Sequence, residues 1–505
     1  MFSLRDHLMP LFAVTTPMPW LCGLSRLLGK GDNFKVSRRD IAVTIAASLS
    51  LALVGCATPV LQSSVEVPGR FAEAPESDVE PEAPWWDSYG DPVLSSLIRR
   101  AASANRDIKI AAERVRVARA GVTISRSWML PSVGVSAVGV GYNNGYGAPA
   151  NQLAPDVRAL AGGADVSWEI DLSGRLSAGA KAAAADALAA ENNVRGVRLL
   201  VLTDVASNYF TLVGALRQLE TVRAISSAFD ETLRLVTARQ RVGLATSFDV
   251  ERAQTDASRA RAAIPPLETL AAVSRHRIAV LIGDQAFNAA AIGPSAVELT
   301  VPPARPGQPA SLLERRPDLL ALKAQLDAAN WRRQQANAEY FPRLVASVLL
   351  GGQSAEISDL NLGSTRFSLA SGLLTMPVFN WGRTQAINEA AEAGQTQALL
   401  RLEDGIVRAL EDVENALVAL RDERQRAELL RSATTSAEAA LGRAQSLYNR
   451  GQIDLLPLLD AQRSRLAVQV NANDSSTQLL LDSVQLYKAL GGGWQVFEPV
   501  TEKPS

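Results

Sequence analysis

Few side chains in this sequence are equipped to act as nucleophiles or metal ligands. It holds two cysteines, Cys22 and Cys56, and two histidines, His7 and His276. The cysteines fit neither a metal-ligand spacing nor a disulfide framework, and no nucleophile is set beside a base. His276 falls between Arg275 and Arg277 on an expected helix and reads as an exposed position. Gly139-Val140-Gly141 is too short for a nucleotide-binding fingerprint and has no helix opening behind it. The reading is therefore not an enzyme, with no cofactor and no metal. Lys and Arg total 51 against 52 Asp and Glu, a net charge of −1, so the basic surface that nucleic-acid binding needs is lacking.

Cys56 can do one kind of chemistry, thiol acylation. Lys35, Arg38 and Arg39 form a basic stretch, 41–54 is an apolar run without charge, and Leu53-Val54-Gly55-Cys56 closes it. The run is short for a bilayer span, which takes about 20 apolar residues. Together these features resemble a bacterial lipoprotein signal, with the cysteine acylated before cleavage. Ala57 after the cysteine implies sorting to the outer membrane. Residues 1–34, with Pro10, Pro17, Pro19, Gly29 and Gly31, read as an over-extended start, which leaves Cys22 outside the mature protein. Ser37-Arg38-Arg39-Asp40-Ile41 half-matches a twin-arginine signal.

The elements that would position any site are arranged twice. Asp107 and Asp318, and Pro131 and Pro342, are 211 residues apart. Gly174 and Gly382, Gly243 and Gly451, and Gln254 and Gln462 are 208 apart, so the second hairpin is three residues shorter. Each copy reads as helix, β hairpin, long helix and returning helix. The expected division is 1–55 leader and signal, 56–90 lipidated tether, 91–283 first repeat, 284–310 Pro-rich linker, 311–493 second repeat and 494–505 tail. The fold class is mainly α with a membrane β-barrel.

From Asp91 to Trp128 the apolar spacing is helical, ended by Pro131. Asp165, Ser167, Glu169 and Asp171 alternate with Val166, Trp168, Ile170 and Leu172, a period of two. Val133–Gly141 is the partner strand, and Leu344–Leu350 with Phe367–Met376 repeats the pattern. Strands of about 9 to 11 residues suit tilted membrane crossings. Four cannot close a useful barrel, whereas three copies supply twelve.

The helix after each hairpin runs unbroken by proline, from about Leu176 to Arg241 and from Thr384 to about Arg450. Leu399, Leu402, Ile406, Ala409, Val413, Ala416 and Leu420 form a heptad seam, echoed by Leu202, Ala206, Tyr209, Val213 and Leu216. These seams are expected to be completed by other subunits. Gly243 and Gly451 then end the two helices, and a helix returns to Gly283 in one half and to Gly491 in the other.

These features, with Arg315-Arg316-Pro317-Asp318-Leu319, Val378-Phe379-Asn380-Trp381-Gly382-Arg383 and Leu459-Asp460-Ala461-Gln462-Arg463, resemble the outer membrane factor family. This is the TolC-like group, nearest to the lipoprotein channels of resistance-nodulation-division efflux systems. The resemblance implies a homotrimer, a twelve-stranded barrel in outer membrane lipid continued by a twelve-helix periplasmic tube. It implies a passive duct joined to a periplasmic adaptor and an inner-membrane resistance-nodulation-division transporter. It places a periplasmic gate at Asp460 with Leu456 one turn earlier, where three carboxylates would repel one another and attract cations. A second acidic gate position falls on Pro457. The tips at Gly243 and Gly451 become adaptor contacts. Asp165, Ser167, Glu169 and Asp171 are expected to line the barrel lumen. Trp128, Trp168, Tyr340, Phe341 and Trp381 are expected in an aromatic belt. Asp460 as a solvated helix position and the tips as ordinary helix ends remain open. So do a periplasmic coiled-coil scaffold or adhesion lipoprotein, and a type I protein secretion duct.

Overall fold

The computed structural model describes residues 59–74, 84–143, 145, 156–284, 300–357 and 360–498. All of them belong to one compact unit, Thr58–Ser505. Cys56, Cys22 and His7 lie outside the described residues, as does much of the first hairpin's turn.

The stretch expected as one helix from Asp91 to Trp128 is two, α1 (Pro92–Ala104) and α2 (Arg106–Ser127). Asn105 makes the break. Its backbone is extended at ψ 135°, and its side chain accepts from the amides of Asp107 and Ile108, which satisfies two of the free N–H groups that open α2.

The strands are β1 (Ser132–Tyr142), β2 (Val157–Ile170), β3 (Arg343–Ile357) and β4 (Leu360–Thr375). At 11, 14, 15 and 16 residues, three of them exceed the expected length. The added stretches, such as Ala161-Gly162-Gly163 and Gly351-Gly352-Gln353-Ser354, lack an apolar alternation; they pair because a neighbouring strand offers their backbone groups partners. The four form one antiparallel sheet in chain order. β2 pairs with β3 from Val157↔Ile357 to Ile170↔Leu344, so the sheet joins the two halves. Among the described residues, β1 and β4 each have one neighbour and one free edge.

Two helices of 67 residues follow the hairpins, α3 (Arg175–Arg241) and, in the second half, α8 (Arg383–Asn449). At 1.5 Å per residue each is about 100 Å long. The first return is broken, into α4 (Ser247–Ala262) and α5 (Ile264–Leu281). Pro265 and Pro266 occupy the first turn of α5, where a missing N–H costs nothing but the preceding helix cannot continue through them. The second half opens with a short α6 (Leu312–Arg315) and α7 (Pro317–Asn337). The second return, α9 (Leu455–Ala489), is a single helix of 35 residues.

The heptad seams are closed within the chain, contrary to the expectation that other subunits complete them. Leu402, Ile406, Ala409, Val413 and Leu420 are buried with Leu326 of α7 and Leu486 of α9. Leu202, Ala206, Tyr209 and Val213 are buried with Ile98, Ile278 and Val484. The apolar side chains left in the open are others: Ile110, Val117 and Ile124 in steps of seven along α2, and Leu400 and Val407 on α8.

Candidate functional site

The two helical tips have different chemistry. At the first, Gly243 takes φ 78°, and its amide and that of Leu244 return to the carbonyls of Gln240 and Arg239; only glycine enters this region cheaply. Thr246 then accepts from the Asp249 amide while the Asp249 carboxylate accepts from the Thr246 amide, a reciprocal cap of α4. The hydrogen bonds from Thr246 hold the Asp249 carboxyl below its ordinary range. Val242, Leu244 and Phe248 are exposed around this turn. At the second tip Gly451 has φ 72°, with equivalent bonds to Tyr448 and Leu447. Asp454 makes no side-chain cap there, and Pro457 stands 208 residues after Asp249.

Past the second tip, Leu455, Leu458 and Leu459 pack with Val236 and Tyr448. The opposite face of α9 carries Leu456 and Asp460, both exposed and one turn apart, a separation that puts two side chains over one another. The exposed stripe continues through Ser464, Asn471, Asp474 and Gln478. Although Asp474 lies on this exposed stripe, partial desolvation of its carboxyl raises its pKa, as it does for the half-buried Asp482 farther on. Arg463 reaches across to α4 and forms a forked pair with the buried Asp256 carboxylate at 2.6 Å. Its pKa is raised, by that hydrogen bond first, with a smaller part from Asp460. Arg463 was visible as part of a motif. Its partner was not, because Asp256 is 208 residues before the serine Ser464 and no spacing links an acid on one half to an arginine on the other.

At the other end of the long helices, Asp165, Ser167 and Glu169 share one face of β2. That face continues through Ser132, Ser347 and Ser371, and it also carries Val345, Leu349, Leu369 and Leu373. The clean division seen along β2 is therefore not kept by β3 and β4. Asp171 differs from its expected place: β2 ends at Ile170, and the Asp171 carboxylate accepts from the amides of Leu176 and Ser177 at the start of α3. Glu169 is paired with Arg175 at 2.7 Å, beside Glu339 and Arg343.

The expected interface aromatics all fall at helix–strand junctions. Trp128 follows α2 and is exposed, and Trp168 donates its indole N–H to the Met129 carbonyl. Tyr340 and Phe341 precede β3. Trp381 is 90% exposed, lies against Phe379 and takes a left-handed φ of 56°.

The chain with these two repeats, its four-stranded sheet and its two 67-residue helices matches known proteins. The family model for outer membrane efflux proteins matches residues 97–284 and 309–492. The chain belongs to the outer membrane efflux protein family. It is 31% identical over 458 residues to the pyoverdine export outer membrane protein OpmQ of Pseudomonas aeruginosa, covering 89% of this chain and 96% of that one. It is 31% identical over 468 residues to the outer membrane protein OprJ of the same organism, covering 91% and 96%. A crystal structure of a membrane protein from Pseudomonas aeruginosa superposes with a TM-score of 0.77 at 30% identity, covering 88% of this chain and all of that one. This outer membrane efflux protein is a channel component of an efflux system in the outer membrane.

Proposed function

We propose that the chain works as a homotrimer, a passive exit duct that passes small molecules from a periplasmic adaptor and an inner-membrane resistance-nodulation-division transporter across the outer membrane. The free edges of β1 and β4 carry this reading. Each edge presents unpaired backbone N–H and C=O groups, which are tolerable in a membrane only in a closed barrel. Four strands per chain close with a useful lumen when three chains join β4 of one to β1 of the next. The exposed apolar stripe of α2 continues into β1, and that of α8 follows β4, so each edge of the sheet extends into a sticky helix.

In this arrangement Cys56 carries the lipid, and Trp128, Trp168, Phe341 and Trp381 mark the membrane interface. Asp165, Ser167 and Glu169 face the lumen. Asp460 and Leu456 narrow the periplasmic mouth, and the turns at Gly243 and Gly451 meet the adaptor. The test is native mass and conductance of the detergent-extracted protein. Three chains forming a conducting pore are expected, with divalent block weakened by Asp460→Ala; a monomer that does not conduct overturns the proposal, and equal block in both proteins moves the constriction away from Asp460.

A further inference from the structure

The sheet face that points away from Asp165 and Ser167 changes character along its length. It begins beside the long helices with Ile170, Leu344 and Leu374 and continues with Val166, Val348 and Leu350, all apolar. From Leu374 back to Arg366, β4 covers about 26 Å. Tilted by about 40°, that is a rise of about 20 Å, which brings Arg366 near the far margin of an apolar band about 25 Å tall.

The arginine occurs twice. Arg158 and Arg366 are 208 residues apart, the offset of the returning strands, and their register partners Gly141 and Gly352 are 211 apart, the offset of the outgoing ones. Each hairpin thus sets one arginine against one glycine on this face. Gly162 and Gly352 pair with each other in register, and above them lies a hollow of about 480 Å³ that reaches Leu160, Ser354, Ser364 and Arg366. A second hollow of about 370 Å³ adjoins it past Leu160, at Gly139, Gly141 and Arg158. Both arginines are exposed, and among the described residues neither side chain has an ion pair or a hydrogen bond. The two surroundings differ in charge. Glu356 stands opposite Arg158, whereas Arg366 has beside it the hydroxyls of Ser354 and Ser364, which oppose each other one pleat further along.

We propose that the hollow at Arg366 binds the phosphate of a membrane lipid in the leaflet remote from the periplasm, and that the hollow at Arg158 is a weaker copy of it. A guanidinium at the margin of an apolar band is costly without a counter-charge, and its fork matches phosphate oxygens. Two serine hydroxyls can donate to the same group. The missing side chains at Gly162 and Gly352 make room for a headgroup, while Leu350 and Val348 next to them offer an apolar track for its acyl chains. Glu356 offsets the charge of Arg158, which ranks the two sites. The proposal rests on the sheet being part of a membrane barrel with this face toward lipid.

The full protein, purified in a neutral detergent and titrated with lipid A or with the same glycolipid stripped of its phosphates, reports bound lipid by native mass. The phosphorylated form should bind at least about tenfold more tightly. Arg366→Gln should remove most of that preference and Arg158→Gln a smaller part. Gly352→Val should weaken binding by filling the floor; a Cβ there meets only the Thr365 carbonyl, at 3.5 Å, so the strand accepts it. A protein that forms a conducting pore but binds both glycolipids alike, or keeps its preference in Arg366→Gln, overturns the site and leaves the channel. If inorganic phosphate displaces lipid A where chloride of equal ionic strength does not, the hollow takes free phosphate and the lipid claim fails. A chain that forms no pore removes the barrel reading, and this site with it.

Discussion

In the first half, Asn105 Nδ2 donates to the carbonyl of Leu281 at 2.9 Å, where α5 ends. In the second, the residue 211 positions on is Arg316, and it donates to the carbonyl of Ala489 at 3.1 Å, where α9 ends. Each end is followed by a glycine at φ 70°, Gly283 and Gly491. A side chain at Gly491 would stand 2.8 Å from Arg316 Cγ, and one at Gly283 would stand 3.1 Å from the Ala104 carbonyl. One duplicated joint is therefore built once with a neutral amide and once with a guanidinium. The neutral version also caps α2 and does no more. The charged version adds Asp318, Asp412 and the Ala409 carbonyl, tying α7, α8 and α9 at one point. Burial alone would lower the Arg316 pKa, but Asp318 and Asp412 hold it above its usual value.

The largest effect expected follows from this joint. Arg316→Ala should destabilise the second half by about 3 kcal/mol, since it strips a mostly buried cation from two helix ends, discounted because both acids are half exposed. Arg316→Lys should rescue little, because an ammonium cannot fork between two carboxylates and two carbonyls. Asn105→Ala should cost about 2 kcal/mol, one lost cap plus one buried carbonyl left unpaired. Exchange rates of peptides 486–492 and 278–284 separate the two, and equal losses at both would mean that the ionic joint carries no more than the neutral one.

How much of this was legible follows the same contrast. The repeat offsets, the 67-residue helices, the heptad seams and the hairpins rest on periodicity, which local sequence carries. Asn105 was hidden because Asn105-Arg106-Asp107 sits inside a continuous apolar spacing, and only its backbone turn reveals a cap. Pro265-Pro266 was a readable break inside the stretch expected as one returning helix. Residues 59–74 were opaque for another reason: proline-rich, acid-scattered sequence looks like free tether, yet Leu61, Pro59 and Ala72 are held by Asn330, Gln395 and Glu414, more than 250 residues away. Who completes the seams also depends on tertiary placement, which periodicity alone does not contain.

A smaller effect should separate the tips. Thr246→Ala removes half of a reciprocal cap and should loosen the first tip by about 1 kcal/mol. Asp454→Ala removes a residue with no side-chain cap and should cost the second tip a few tenths, the helix-dipole share of an exposed acid. Amide exchange over 244–252 should quicken about fivefold in the first variant, against less than twofold over 452–460 in the second. A reversed order would mean that Asp454 is fastened by something other than its own helix.

The smallest effect is on pH, and here the halves should move in opposite directions. Asp249 is held below the ordinary aspartate value of 3.8 by its bonds with Thr246. A carboxyl depressed in the folded state lends stability above its unfolded pKa and loses it as pH falls through the folded one. The first tip should therefore loosen below about pH 4. Asp474 and Asp482 on α9 are raised above 3.8, chiefly by partial desolvation of their carboxyls. Their contribution is present in full at low pH and is lost as pH rises from that value through the raised ones. Between pH 6 and pH 3.5, exchange corrected for its intrinsic rate should slow around Asp474 and Asp482 and quicken around Thr246. Asp249→Asn should abolish the response of the first tip and leave that of α9 intact. If both segments shift in the same direction, or if Asp249→Asn removes both responses, the acid response belongs to the whole assembly and not to these side chains.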